Sequence, residues 1–309
     1  MILFNYIVMC LIFGTTFLAI KIGIDAGAPP FFSAGVRFFL AGVILFSIMV
    51  WKRKASISLL FKKEMFLTGF ALTFGVFATL YWAEQYLSSG IAAVLSATAP
   101  LMILLLQTTI TRQSLPAVAW IGCLIGFAGV LLMLLPGLTV TFSTVWLLGC
   151  LVVLFGQVFY SAGTVYSRRV IQRFQDSSPI ALNAAQMMYG GALLLILSLF
   201  TENVNVQSMV TPAAIVSLFY LIVVGSMMGH TIFYWLVAKT NPVFPATWLY
   251  ISPLIALTLG VILYHEPLSI LSLAGGITII GGIILINVNS LKQLLDKKPS
   301  MLGKASHHR

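Results

Sequence analysis

Residues 81–104 read YWAEQYLSSGIAAVLSATAPLMIL, and residues 234–257 read YWLVAKTNPVFPATWLYISPLIAL. Trp82 precedes Pro100 by eighteen residues, Trp235 precedes Pro253 by eighteen, and the two passages are offset by 153. Each Pro-Leu pair opens a long aliphatic run, followed by a short polar break and a glycine-dotted apolar run. The glycines keep the same offset, Gly122 falling on Gly275 and Gly129 on Gly282. The chain is therefore an internal duplication of apolar segments. In membrane proteins such a repeat marks carriers whose halves enclose a site between them.

Composition demands a bilayer. Hydrophobic residues make up 60% of the 309 and charged residues 8%, and the mean hydropathy is +1.05. Soluble proteins carry about 25% charged residues, so this chain has no means of building a water-facing surface. Unbroken apolar runs of roughly 20 residues, each able to cross a core of about 30 Å as a helix, recur from end to end. A barrel would need alternating strands instead. The expected fold is all-α and polytopic, with ten spans near 3–23, 30–51, 64–86, 89–111, 116–135, 144–167, 179–200, 211–237, 241–264 and 269–289. The first span is expected to act as its own insertion signal.

The net charge of +10 reflects topology rather than nucleic-acid binding. With the N-terminus inside, the inner loops hold Lys52, Arg53, Lys54, Lys62, Lys63, Arg112, Arg168, Arg169, Arg173 and Lys239. The inner tail holds Lys292, Lys297, Lys298, Lys304 and Arg309. These are fifteen of the seventeen basic residues, and no outer loop carries one. The positive-inside rule then puts both termini in the cytoplasm of a plasma-membrane protein. Cys10, Cys123 and Cys150 fall within spans and read as packing residues without metal-ligand spacing. No metal or cofactor is implied.

Five spans per half is an odd number, so the second copy must enter the membrane the other way. Arg112 falls on the inner side, and His265, 153 residues on, falls on the outer. Looser matches extend the repeat: Gly14 and Phe17 with Gly156 and Phe159, Pro30 and Arg37 with Pro179 and Gln186. The units are 1–140 and 141–290, followed by a basic cytoplasmic tail at 291–309.

Several stretches carry a family resemblance: Phe13-Gly14-Thr15-Thr16-Phe17, Pro29-Pro30 through Arg37-Phe38, Pro100-Leu101 with its repeat Pro253-Leu254, and His265-Glu266-Pro267 followed by Gly275 and Gly281-Gly282. In order and spacing they resemble the drug/metabolite transporter superfamily, and within it the ten-helix EamA type. The resemblance implies export of small metabolites, often amino acids or related compounds, through a cavity between the halves. Phe13 stands where that family often has Trp, and Gln113 replaces the acid that Glu266 supplies in the second half.

Lys21, Arg37 and Glu84 are the costly residues, because a central charge costs about 2.5–3.5 kcal/mol on insertion scales. They are expected to meet one another or a solute carboxylate on the outer side of the cavity; snorkelling is the competing account for Lys21 and Glu84. Phe13, Phe17 and Lys21 recur every four residues on one face that Gly14 adjoins. Tyr81, Trp82, Tyr160 and Trp248 are cavity candidates, with an interfacial aromatic belt as the alternative. Gln157 and His230 are polar groups of the second half, and His230 is the candidate for proton coupling. Pro100 and Pro253, midway along their spans, are hinge candidates. Seams such as Gly122-xxx-Gly126 serve packing within a monomer or across a homodimer.

Other classes are less well served. No H-E-x-x-H, G-x-S-x-G or nucleotide-binding motif is present, so neither an enzyme nor ATP-driven transport is expected. A channel would need a polar lining. The partners expected are a small solute, the lipid bilayer and, for coupling, protons, without nucleic acid. A nucleotide-sugar or sugar-phosphate carrier is the alternative within the superfamily.

Overall fold

The computed structural model describes residues 1–111, 116–135, 143–204, 210–255 and 269–296. Arg112, Gln113, His265, Glu266, Pro267 and the tail beyond 296 lie outside the described residues. Seven helices are long and apolar enough to cross a bilayer: α1 (Ile2–Asp25), α2 (Pro30–Trp51), α3 (Lys63–Ala83), α4 (Ile91–Ile110), α6 (Thr144–Arg173), α7 (Pro179–Thr201) and α8 (Pro212–Lys239). Shorter apolar helices occupy the remaining expected places: α5 (Ala117–Leu134), α9 (Val243–Ile255) and α10 (Ile270–Asp296), whose apolar part is Leu273–Ile286. No strand occurs among the described residues. The exterior is apolar, with Leu11, Leu124, Phe155 and Ile277 each more than half exposed, a surface suited to lipid rather than water. This is a multi-pass membrane protein.

The packing reveals how the halves relate. Helices α5 and α10 cross so closely that a Cβ on Gly122 would lie 2.8 Å from the Gly282 carbonyl oxygen, and one on Gly129 2.8 Å from that of Gly275. Gly122 thus touches the repeat partner of Gly129, and Gly129 touches the repeat partner of Gly122. Helices α2 and α7 obey the same exchange at offset 149, Gly42 meeting Ala184 and Gly35 meeting Gly191. Reciprocal contact of this kind is what a two-fold axis requires. In both pairs the numbers run in opposite directions, so the helices are antiparallel and the axis lies across them. The repeats are inverted.

Three local features depart from the expected spans. Helix α6 continues to Arg173, so Arg168, Arg169 and Arg173 lie on its last turns rather than in a loop. Helix α4 breaks between Ser96 and Ala99, just ahead of Pro100. In α9 the break falls at Thr247, behind Pro245 and six residues before Pro253. Both α3 and α8 contain π-helical stretches, Phe70–Gly75 and Leu221–His230. Such turns are common at functional sites.

The ends are pinned by charge. At one end both Glu202 carboxylate oxygens accept backbone N–H bonds from Phe31 and Phe32, at 2.7 and 2.9 Å, capping the free amides of α2. At the other end Arg173 pairs with Glu64 at 2.7 Å. Asp25, which is exposed, pairs with Lys21 one turn back on α1 at 3.0 Å.

Candidate solute cavity

A central cavity of about 50 Å³ lies between the halves, walled by α1, α2, α3, α4, α6, α7, α8 and α9. A water needs roughly 10–15 Å³ of such space, so the cavity holds a few waters. A metabolite enters only if helices move.

Arg37 is the cation of this wall. It is 1% exposed; its Nε donates to Ser226 Oγ at 2.8 Å and its Nη1 to the Tyr81 hydroxyl at 3.3 Å. The guanidinium carbon lies 4.6 Å from the Phe38 ring centre and 5.2 Å from that of Phe77, within cation–π range. Gly225 makes room, since a Cβ there would stand 3.0 Å from Nη2. Among the described residues no carboxylate comes within ion-pair distance of Arg37.

The two-fold repeats this arrangement without its charge. Gln186 is the counterpart of Arg37 at offset 149, and Thr73 the counterpart of Ser226 at offset 153. Thr73 donates to Gln186 Oε1 at 2.8 Å, and Gln186 Nε2 donates to Asn183 at 3.1 Å. Each hydroxyl sits in a π-helical stretch. One architecture thus holds a guanidinium on one side of the axis and a neutral amide on the other. Phe77 and His230, also partners at offset 153, meet with ring centres 5.8 Å apart.

Aromatic rings complete the lining. His230 stands edge-on to Phe13, Phe38 and Phe77 at 5.0, 5.4 and 5.8 Å. Trp248 packs on Phe13 at 4.7 Å and Phe17 at 6.0 Å, and its indole N–H donates to the Tyr160 hydroxyl at 3.1 Å. Gln157 Nε2 donates to Ser96 at 3.2 Å.

Of the expected site residues, the structure brings Phe17, Arg37, Gln157, Tyr160, His230 and Trp248 to one cavity. Four others stand off it. Tyr81 lies behind the guanidinium it receives. Trp82 borders a separate groove of about 810 Å³ with Gln85, Glu202 and Asn203, because its position at the helix end turns it to the rim. Lys21 reaches the backbone carbonyl of Glu84 at 3.0 Å rather than its carboxylate. Glu84 is 0% exposed. The expected meeting of Arg37 and Lys21 with the Glu84 carboxylate is therefore not made, each cation having another acceptor. Sequence reasoning missed Phe77 and Ser96 as wall residues, and Thr73 and Ser226 as the hydroxyls that hold Gln186 and Arg37. The signal was available for three of them: Thr73 with Ser226 and Phe77 with His230 keep the repeat offset.

The Lys21 contact has an echo. Val237 is the repeat partner of Glu84, and its carbonyl accepts from Arg168 Nη1, as does that of Ala238. A cation from the first helix of each unit thus caps the third, once at each end of the molecule.

The chain matches the model of the EamA-like transporter family over residues 1–135 and again over 147–288. It belongs to that family. It is 28% identical over 296 residues to an uncharacterized inner membrane transporter, YedA, of Escherichia coli (strain K12), covering 94% of this chain and 90% of the relative. It is 28% identical over 269 residues to an uncharacterized transporter, YvbV, of Bacillus subtilis (strain 168), covering 87% and 86%. A crystal structure shares the fold with a TM-score of 0.75 at 18% identity, over 93% of this chain and 98% of the other. The family and the relatives' names indicate a membrane transporter rather than an enzyme.

Proposed function

We propose that this chain exports small amphipathic metabolites bearing a carboxylate, amino acids or close relatives of them, across the plasma membrane. Alternating access between the units 1–140 and 141–290 carries the solute, with both termini and the basic tail 291–309 in the cytoplasm. The observation behind this reading is Arg37: a buried guanidinium with only neutral and aromatic partners, on the wall of a cavity between inverted repeats. A carboxylate is the group such a fork recognises best. The rings of Phe17, Tyr160 and Trp248 suit the solute's apolar or cationic part.

A sugar-phosphate or nucleotide-sugar carrier, the alternative, would be served by several cations. Among the described residues Arg37 is the one cation lining this cavity. The test is counterflow in proteoliposomes with radiolabelled amino acids, the matching decarboxylated amines and sugar phosphates. Amino acids are expected to exchange, and Arg37→Gln, which copies Gln186, to lower their exchange about tenfold or more, as loss of a charge-assisted bond implies. Arg37→Ala with wild-type transport and merely less protein would remove the carboxylate role.

A further inference from the structure

Glu84 is the first residue beyond the span Lys63–Ala83. It is fully buried, and both carboxyl oxygens lack any partner. An ionised carboxylate left so would be uncompensated, which proteins avoid by neutralising the group. The charged and titratable groups around it are already committed. From α1, Lys21 Nζ holds Asp25 at 3.0 Å and the Glu84 backbone carbonyl at 3.0 Å. From α2, Arg37 is held by Ser226 and Tyr81. Glu202, at the same end just beyond α7, caps the amides of Phe31 and Phe32.

We propose that Glu84 is a proton-binding site, and that its proton controls which acid Lys21 serves. The inference rests on the transporter reading and adds to it a coupling residue other than His230, whose ring is enclosed by Phe13, Phe38 and Phe77. In the closed arrangement Glu84 is the neutral acid and Lys21 bridges Asp25 to the end of α3. When this end opens, water arrives from the groove bordered by the flanking Gln85 and by Trp82. The O–H bond of Glu84 breaks, its proton passes to water, and its electron pair stays on the carboxylate. Lys21, still an ammonium, then has a stronger acceptor on Glu84 than the carbonyl it now holds, and can leave Asp25. Proton release and the α1–α3 contact are thereby linked.

The experiment is infrared difference spectroscopy of the purified full chain in liposomes, titrated from acid to alkaline buffer. A carbonyl stretch from a carboxylic acid shielded from water is expected at neutral pH. Glu84→Gln removes it, Asp25→Asn keeps it, and Lys21→Gln carries it to more alkaline pH, since a nearby cation favours the ion. Glu84→Gln is expected to melt as the wild type does, because an isosteric neutral group replaces a neutral one. A neutral-pH band unchanged in Glu84→Gln, or a large drop in its melting temperature, overturns the proposal; a titration unmoved in Lys21→Gln overturns the link to Lys21. A wild-type chain that exchanges no solute of the counterflow panel sinks the transport reading, whereas the band decides this one.

Discussion

The guanidinium of Arg37 and the amide of Gln186 occupy equivalent places and lean on equivalent hydroxyls, yet the two contacts differ in energy. Ser226 Oγ accepts from a charged donor and is 0% exposed; Thr73 donates to a neutral amide. A hydrogen bond to a charged group contributes about 1.5–3 kcal/mol, and one between neutral groups about 0.5–1.5 kcal/mol. Ser226→Ala is therefore expected to lower the melting temperature in detergent more than Thr73→Val does. It should also weaken Arg37-dependent exchange, whereas Thr73→Val should leave exchange within about twofold. Equal losses from the two variants would mean that the guanidinium draws no particular support from α8. The charge at residue 37 was legible in the sequence because a lone arginine in an apolar run must have a reason. Its acceptor was not, since a serine within an apolar stretch is unremarkable until the repeat offset is laid over both halves.

At the scale of elements, the α5–α10 seam offers a direct comparison. A Cβ on Gly282 would meet the Gly122 carbonyl oxygen at 2.7 Å and the Gly126 backbone nitrogen at 2.5 Å, backbone that cannot swing aside. A Cβ on the neighbouring Gly281 would meet nothing within 4 Å. Gly282→Ala is expected to destabilise by about 1–3 kcal/mol through overpacking. Gly281→Ala should be neutral or gain about 0.5–1 kcal/mol from helix propensity. Thermal melts of the purified variants check both signs. The seam was legible in outline because small residues at helical spacing announce close approach, but its partner helix depended on the inverted arrangement of the repeats. The helix breaks were less legible. Proline marks where a helix can bend, yet α9 turns at Thr247, two residues after Pro245 and six before Pro253. The length of α6 escaped hydropathy altogether: its 30 residues span roughly 45 Å, well beyond a core of about 30 Å, so its last turns are polar while still helical.

Over the whole molecule, the same device appears at both ends. Lys21 ties α1 to the end of α3 through the carbonyl of Glu84, and Arg168 ties α6 to the end of α8 through the carbonyl of Val237. Under the two-fold axis the two accepting carbonyls are counterparts, and both ties are made together around a cavity of about 50 Å³. Inverted repeats that exchange conformations would release one tie at a time, so each variant should bias the carrier toward a different side. The reporter is Thr16→Cys, on the cavity wall, in a background with Cys10, Cys123 and Cys150 replaced by serine. A membrane-impermeant thiol reagent is added from either face of oriented vesicles. Lys21→Ala is expected to speed labelling from the face that bears Glu202, and Arg168→Ala from the face that bears Glu64. A tie worth about 1.4 kcal/mol would change the rate about tenfold. If both variants open the cavity to the same face, the two caps merely stabilise their helices and alternation is governed elsewhere.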